Sequence, residues 1–307
     1  MCGFARGLLA WYDADARPLP WRATRDPYAI LVSEVMLQQT QAARVAPVYR
    51  AFLERFPRAE ALAEAPLSEV LTAWRGLGYN RRARNLWLTA AAVVERHGGV
   101  VPRDLPALLA LPGLGAYTAR AVLAFAYDER QGPVDTNVGR VLARAVAGRP
   151  LGRAAAQRLA GALVGAPGED PVAGGPGAGR PAAWSHALMD LGARVCLARR
   201  PRCEACPVAR DCAWRRAGGP DLPGPGPHPA PDPAAATATR SRPQRPFAGS
   251  DRYHRGRLVD ALRVRSLDLG ELPGAAELHD AARLEQIVAG LVAEGLAEWR
   301  GARLALP

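Results

Sequence analysis

Four cysteines crowded into seventeen positions constrain this chain more than any other feature. Cys196, Cys203, Cys206 and Cys212 are spaced C-x6-C-x2-C-x5-C, close enough for their thiolates to wrap one compact centre. Such a set suits either a 4Fe-4S iron–sulfur cluster or tetrahedral zinc. Zinc sites commonly show two paired knuckles, whereas only Cys203 and Cys206 form a close pair here. The crowding points to a metal or cluster site in a reducing compartment, not to a disulfide framework. Cys2 is left over as a free thiol.

Charge narrows the class of partner. Forty basic residues against 29 acidic ones give a formal net charge of +11, which favours a polyanion through steering and counterion release. Nucleic acid leads, ahead of acidic lipid. Every basic residue is arginine, because the chain contains no lysine, so Schiff-base catalysis by a side-chain amine is excluded. Arg199, Arg200 and Arg202 lie inside the first cysteine loop and would present three guanidiniums on one turn, either as a phosphate-binding surface or as a solvated charge run. The start of the chain shows no sustained apolar leader and no stretch reaches transmembrane length. The expectation is a cytoplasmic, nucleoid-associated protein away from membranes, and a monomer.

With 307 residues, one substantial core of about 200 residues plus a smaller module is expected. Residues 1–216 carry apolar spacings of three and four and read as almost wholly helical, with the cysteine module over 188–214. Asp26-Pro27 pairs an N-cap with a proline at the first helical position and opens a helix to about Gln39. Residues 164–181 read as a Gly/Pro-rich surface insertion, and 217–247, with nine prolines, as a linker. Beyond it, Leu258, Val259 and Leu262 mark one helix, and Leu284, Ile287, Val288, Leu291 and Val292 another. A short hairpin turns at Arg300-Gly301. Residues 248–307 therefore read as a small winged-helix-like module, whose Arg252, Arg255, Arg257, Arg263 and Arg265 would add nonspecific DNA affinity.

Three short motifs carry chemistry. Leu111-Pro112-Gly113-Leu114-Gly115 joins two apolar segments, and glycines there would let backbone N–H groups approach a phosphate, as in helix-hairpin-helix DNA-binding proteins; a plain helix connection is the alternative. Asp135 directly precedes a helical pattern and reads as an N-cap. Glu34 falls on a helical wheel among Ile30, Leu31 and Leu37, so its carboxyl should sit in an apolar stripe with a raised pKa; a salt-bridged Glu at the stripe edge is the alternative.

Leu19-Pro20-Trp21-Arg22, Asp26-Pro27-Tyr28, the run Ser33 to Thr40, Gly76-Leu77-Gly78-Tyr79, the glycine hairpin through Tyr117-Thr118, Val134 to Val138 and the four cysteines occur in one order across residues 17–212. In that order the chain resembles the MutY adenine DNA glycosylases of the endonuclease III and helix-hairpin-helix superfamily. The resemblance implies a mainly α glycosylase fold with a 4Fe-4S cluster loop, acting on double-stranded DNA that contains adenine mispaired with 8-oxoguanine or guanine. It makes Glu34 the acid that protonates adenine and Asp135 the carboxylate that stabilises the sugar cation, kept ionised by its helix N-terminus. Tyr117 and Asn137 would support them. Arg17, Leu19, Trp21, Arg22 and His186 would line the adenine pocket. Gln38, Gln39, Thr40, Leu77, Tyr79, Gly113 and Gly115 would bind DNA, with Gln38, Leu77 and Tyr79 entering the duplex around the partner base. Related bifunctional enzymes carry a lysine where Tyr117 stands, so base removal without strand cleavage is implied.

The chain departs from the family at three places. Asn80 replaces a second tyrosine, His186 replaces a Glu or Gln, and residues 248–307 are too short and too helical for the Nudix-like domain of many relatives, resembling instead the shorter C-terminus of some actinobacterial homologues. Two other functions fit the same residues: a thymine or other mismatch glycosylase, and a non-catalytic iron–sulfur DNA-binding regulator. Both carboxylates in matching contexts weigh against the regulator.

Overall fold

The computed structural model describes residues 2–165, 177, 179–219, 230–237 and 246–307. Most of the insertion expected over 164–181, most of the linker expected over 217–247 and the Cys2 side chain lie outside the described residues. The fold is mainly helical, as the apolar spacing predicts, with one three-stranded sheet among the described residues. No helix among them is long and apolar enough to cross a membrane. Two compact units are each discontinuous in sequence: Met1–Pro27, Arg103–Leu109 and Leu114–Arg242 form the first, and Tyr28–Pro102, Ala110–Gly113 and Pro243–Pro307 the second.

In the first unit, helix Cys2–Asp15 lays Phe4 and Leu8 against helix Pro181–Arg194, where Phe4 meets Trp184 edge-on with ring centroids 6.0 Å apart. All three side chains are buried, and each stabilises the fold by about 1.5–3 kcal/mol. Helix Thr136–Val141 runs directly into a π-helical turn, Leu142–Ala147, which Gly148 ends in the left-handed region at φ 63°. Arg144 on that turn is 1% exposed and donates to the carbonyls of Leu197 and Ala198 and to both oxygens of Asp232. A buried guanidinium needs such partners. Asp232 also caps the short turn Pro233–Ala236, so this part of the proline-rich stretch is folded against helix Thr136–Val141 and the π-helical turn where a plain spacer is expected.

In the second unit, helix Pro27–Leu37 is buried at nine consecutive positions, Tyr28 to Met36, the mark of a helix enclosed on all sides rather than a striped one. It stops two residues short of Gln39 because Gln39 takes a left-handed conformation, φ 57°. Arg82, itself buried, supplies what the helix end lacks: its Nη1 donates to the carbonyls of Val35 and Met36 at 3.0 and 2.8 Å. A cation at a C-terminal end is also favoured by the helix dipole.

The C-terminal part of this unit runs helix Asp251–Leu262, strand β1 (Leu267–Asp268), helices Leu272–Ala276 and Ala281–Ala293, then the hairpin β2 (Glu298–Arg300) and β3 (Arg303–Ala305). The strands pair antiparallel in the order β1-β3-β2, with Leu304 opposite both Leu267 and Trp299. The two expected helices and the hairpin follow in the expected order, with β1 and helix Leu272–Ala276 added between the two helices. Ser250 and Asp280 cap the two longer helices by accepting from Tyr253 N–H and Arg283 N–H, each cap contributing about 1 kcal/mol. The module's arginines have partners within this unit. Arg255 pairs with Glu294, Arg257 with Glu277, and Arg265 with Glu271, while Arg252 and Arg263 donate to Tyr79 and Asn80.

Candidate active site and cysteine centre

Asp135 is the N-cap of helix Thr136–Val141. Its Oδ1 accepts from Val138 N–H at 2.6 Å, and its Oδ2 accepts from Asn137 Nδ2 at 2.9 Å. Burial raises the carboxyl above its ordinary range; these hydrogen bonds and the Arg140 charge oppose the rise without cancelling it. The helix start favours the ionised form of Asp135 and burial disfavours it, and burial is the larger influence on its pKa. Arg140, which motif reading overlooked, donates to Asn137 Oδ1 at 2.7 Å, to Gly192 O at 2.6 Å and to Cys196 O at 2.7 Å. It thereby joins the Asp135–Asn137 pair to the first cysteine. Gly192 is also required sterically: a Cβ there would lie 2.6 Å from Asn137 Cβ.

The segment before Asp26 is held by another residue that the motifs do not reveal. Asp190 has no exposed side-chain surface and accepts from Arg17 Nε at 2.6 Å and from both Nη atoms of Arg22 at 2.8 Å. Burial works to raise its pKa, but Arg22 and then Arg17 outweigh it and hold the carboxyl below its ordinary value. Trp21 is buried beside them in the sequence, and Leu19 is partly exposed. His186 stacks on Phe125 with centroids 4.0 Å apart and lies against Tyr12 at 6.4 Å. Burial and the Arg22 charge push its pKa down to about 3, so the ring is neutral at physiological pH. Tyr117 stands in the first turn of helix Ala116–Ala126 and is partly exposed.

Cys196, Cys203, Cys206 and Cys212 line one cavity, and none forms a disulfide. Among the described residues no three His, Cys, Asp or Glu side chains converge closely enough to hold a single metal ion. Four thiols lining one space are a donor set that a metal ion or an iron–sulfur cluster could use. Burial pushes the Cys206 thiol up to about 12 and also raises Cys203 and Cys212. Such thiols become thiolates when a cation displaces their protons. Arg144 Nη1 lies 3.5 Å from Cys196 Sγ, and Arg215 Nη1 donates to Cys203 O at 2.8 Å. Arg199, Arg200 and Arg202 are exposed on the first cysteine loop.

Glu34 lies in the second unit, 4% exposed within the enclosed helix, so its carboxyl is buried as expected, although the helix is covered on all sides and not along one stripe. Gln38 and Thr40 are partly exposed and Gln39 is exposed. Gly76, Gly78 and Tyr79 all have positive φ, 87°, 67° and 49°. Leu77 points inward at 2% exposure while Tyr79 is 37% exposed. Of the two loop residues expected at a partner base, Tyr79 is therefore the accessible one; Leu77 is a core residue in this conformation. Gly113, φ 75°, sits where a Cβ would meet Asn85 at 2.7 Å. Gly115 is extended and open, and serves as N-cap of helix Ala116–Ala126.

Residues 32–160 match the model of the HhH-GPD superfamily base excision DNA repair proteins. Adenine DNA glycosylase of Mycobacterium tuberculosis is 42% identical over 297 residues, covering 94% of this chain and 88% of its own length. The Homo sapiens adenine DNA glycosylase is 42% identical over 69% of this chain and 39% of its own. A thermostable thymine-DNA glycosylase structure superposes with a TM-score of 0.59 at 33% identity, over 68% of this chain and 93% of that one. Identity at this level over nearly the whole length places the protein in the MutY-type adenine DNA glycosylase family of the helix-hairpin-helix base excision repair superfamily.

Proposed function

We propose that this enzyme hydrolyses the N-glycosidic bond of adenine mispaired with 8-oxoguanine or guanine in double-stranded DNA, as a monomer in the cytoplasm at the nucleoid. The observation that carries the reading is Glu34, a carboxyl side chain 4% exposed inside a helix enclosed on all sides. Breaking the bond places negative charge on the leaving base and positive charge on the sugar, so one neutral acid and one anion are needed. Glu34 is the acid. Asp135 is the anion, buried at a cost and held by Val138 N–H and Asn137. A cation growing on the sugar relieves that cost, and so the carboxylate binds the transition state better than the ground state.

Arg17, Leu19, Trp21, Arg22, Tyr117 and His186 then shape the base pocket, while Gln38, Gln39, Thr40 and Tyr79 meet the DNA near the partner base. The exposed turn Gly113 to Gly115, with the N–H groups of the helix behind it, takes a phosphate. Arg199, Arg200 and Arg202 add phosphate contacts. Cys196, Cys203, Cys206 and Cys212 hold a 4Fe-4S cluster, which when bound ties this arginine-bearing loop into one rigid surface. We take residues 1–216 as the glycosylase domain with its cluster module at 188–214, 217–247 as the connection, and 248–307 as the winged-helix-like module. With no lysine in the sequence, the product is an intact abasic strand.

Thymine release is the second reading, favoured by the superposition on a thymine-DNA glycosylase. Incubation with a panel of mispaired duplexes, with the freed base identified, separates the two. Adenine from its mispairs supports the first reading, and thymine alone from G:T refutes it.

A further inference from the structure

The loop Gly76–Asn80 is built in an expensive conformation. Gly76, Gly78 and Tyr79 have positive φ, and for Tyr79 the left-handed region costs about 1 kcal/mol or more. Such a loop keeps its shape only if its surroundings over-determine it. Arg82 grips it on one side, donating to the carbonyls of Leu77 and Gly78 at 3.2 and 3.1 Å with its guanidinium 5.4 Å from the Tyr79 ring centroid. The second grip comes from the C-terminal segment of the same unit. Arg263, with a side chain 4% exposed, donates to Leu71 O and to Asn80 Oδ1, both at 2.9 Å, and pairs with Asp260. Arg252 Nη1 donates to the Tyr79 hydroxyl at 3.0 Å. A buried guanidinium gives up these acceptors only at the cost of an unsatisfied charge, so the Arg263 contacts are strong ones.

We propose that the C-terminal module acts as a brace that sets the conformation of the Gly76–Asn80 loop, with Arg263 and Arg252 as positioning residues and Asn80 as the receiver of the contact. Asn80 is where the sequence departs from the family's second tyrosine, and its short amide fits the Arg263 donor. The module's influence on DNA is then indirect. It fixes how Tyr79 is presented, and this consequence rests on the reading above that Tyr79 meets the base opposite adenine.

The test uses the full-length protein and two readouts: amide hydrogen exchange of residues 76–80, and the ratio of single-turnover adenine release from 8-oxoguanine and guanine mispairs. Asn80→Val combined with Arg252→Ala should speed exchange by about tenfold and shift the ratio by about threefold or more. Asn80→Asp keeps an acceptor for Arg263 and should stay near wild type in both. Arg263→Ala should behave as Asn80→Val does, and adding Asn80→Val to it should do nothing further; if Arg263→Ala fails to fold, the Val and Asp variants decide. Arg257→Ala, which loses only the pair with Glu277 within the module, is the control. Unchanged exchange in the Asn80→Val, Arg252→Ala protein, or equal losses in Asn80→Val and Asn80→Asp, would overturn the brace. A wild type that releases adenine from neither mispair would overturn the functional reading, while the exchange comparison would still decide the brace.

Discussion

Arg22 holds Asp190 at two points, Nη1 to Oδ2 and Nη2 to Oδ1, each 2.8 Å long, on a carboxyl with no exposed surface. A two-point fork fixes the plane of the guanidinium as well as its place, and so Asp190 sets the geometry of the Arg17–Arg22 segment without contacting DNA itself. Asp190→Asn should cost about 3 kcal/mol of stability, because it leaves the largely buried Arg22 charge poorly paired. Adenine release should fall by about tenfold or more. Denaturant midpoints and single-turnover rates measure both. Because the folded pKa of Asp190 lies below its ordinary value, its stabilisation is present above about pH 4 and fades as pH falls through the folded pKa. The variant should therefore differ least from wild type in acid.

Asp135 has the opposite sign. Burial raises its folded pKa above the unfolded value, so the folded state holds the proton more tightly and the ionised form weakens the fold as pH rises through that window. Asp135→Asn should then melt at a higher temperature than wild type at neutral pH while losing base release by about a hundredfold or more. An equal loss of stability and activity would show that Asp135 serves only as a helix cap.

Asn137 is placed by Gly192 as much as by Arg140. A Cβ at position 192 would press on Asn137 Cβ at 2.6 Å and on its backbone at 3.0 Å, so Gly192→Val should displace Asn137 and with it the hydrogen bond to Asp135. Expected losses are about 2 kcal/mol of stability and at least about tenfold in single-turnover rate. Wild-type kinetics in a folded Gly192→Val protein would remove Asn137 from the site.

How much of this was legible in the sequence follows from where each partner lies. Glu34, Asp135, the glycine hairpin and the cysteines sit in contiguous motifs, and their elements form where periodicity and capping place them. Arg82, Asp190, Arg140 and Gly192 act on groups 46, 168, 56 and 55 positions away, such as Met36, Arg22, Cys196 and Asn137. No local pattern records those pairings. Local reasoning finds the Asp135 cap but not its burial, because a cap is visible in sequence and desolvation is not. Leu77 reads as part of an intercalating loop, yet its aliphatic side chain does what such side chains do in water and turns inward.

His186 gives a pH signature. Its pKa, pushed down to about 3 by burial and by Arg22, means the unfolded chain takes up a proton below its ordinary pKa of about 6.5 while the folded one does not. Stability should fall between pH 6.5 and the folded pKa by at most about 1.4 kcal/mol per pH unit on this account. His186→Asn should flatten that limb, as read from denaturation midpoints at pH 5 and pH 7.5. Parallel curves for the two proteins would show that the ring is free to protonate.

The most direct measurement is single-turnover base release from a duplex with adenine opposite 8-oxoguanine, by wild type and by Glu34→Gln, with the strand analysed before and after alkali. We expect wild type to free adenine and leave a strand that breaks only on alkali treatment. Glu34→Gln should bind the duplex normally yet lose release by about a hundredfold or more, because an amide cannot donate the proton. Wild-type rates in Glu34→Gln, or strand breakage without alkali, would contradict hydrolysis driven by a buried acid in a protein without lysine.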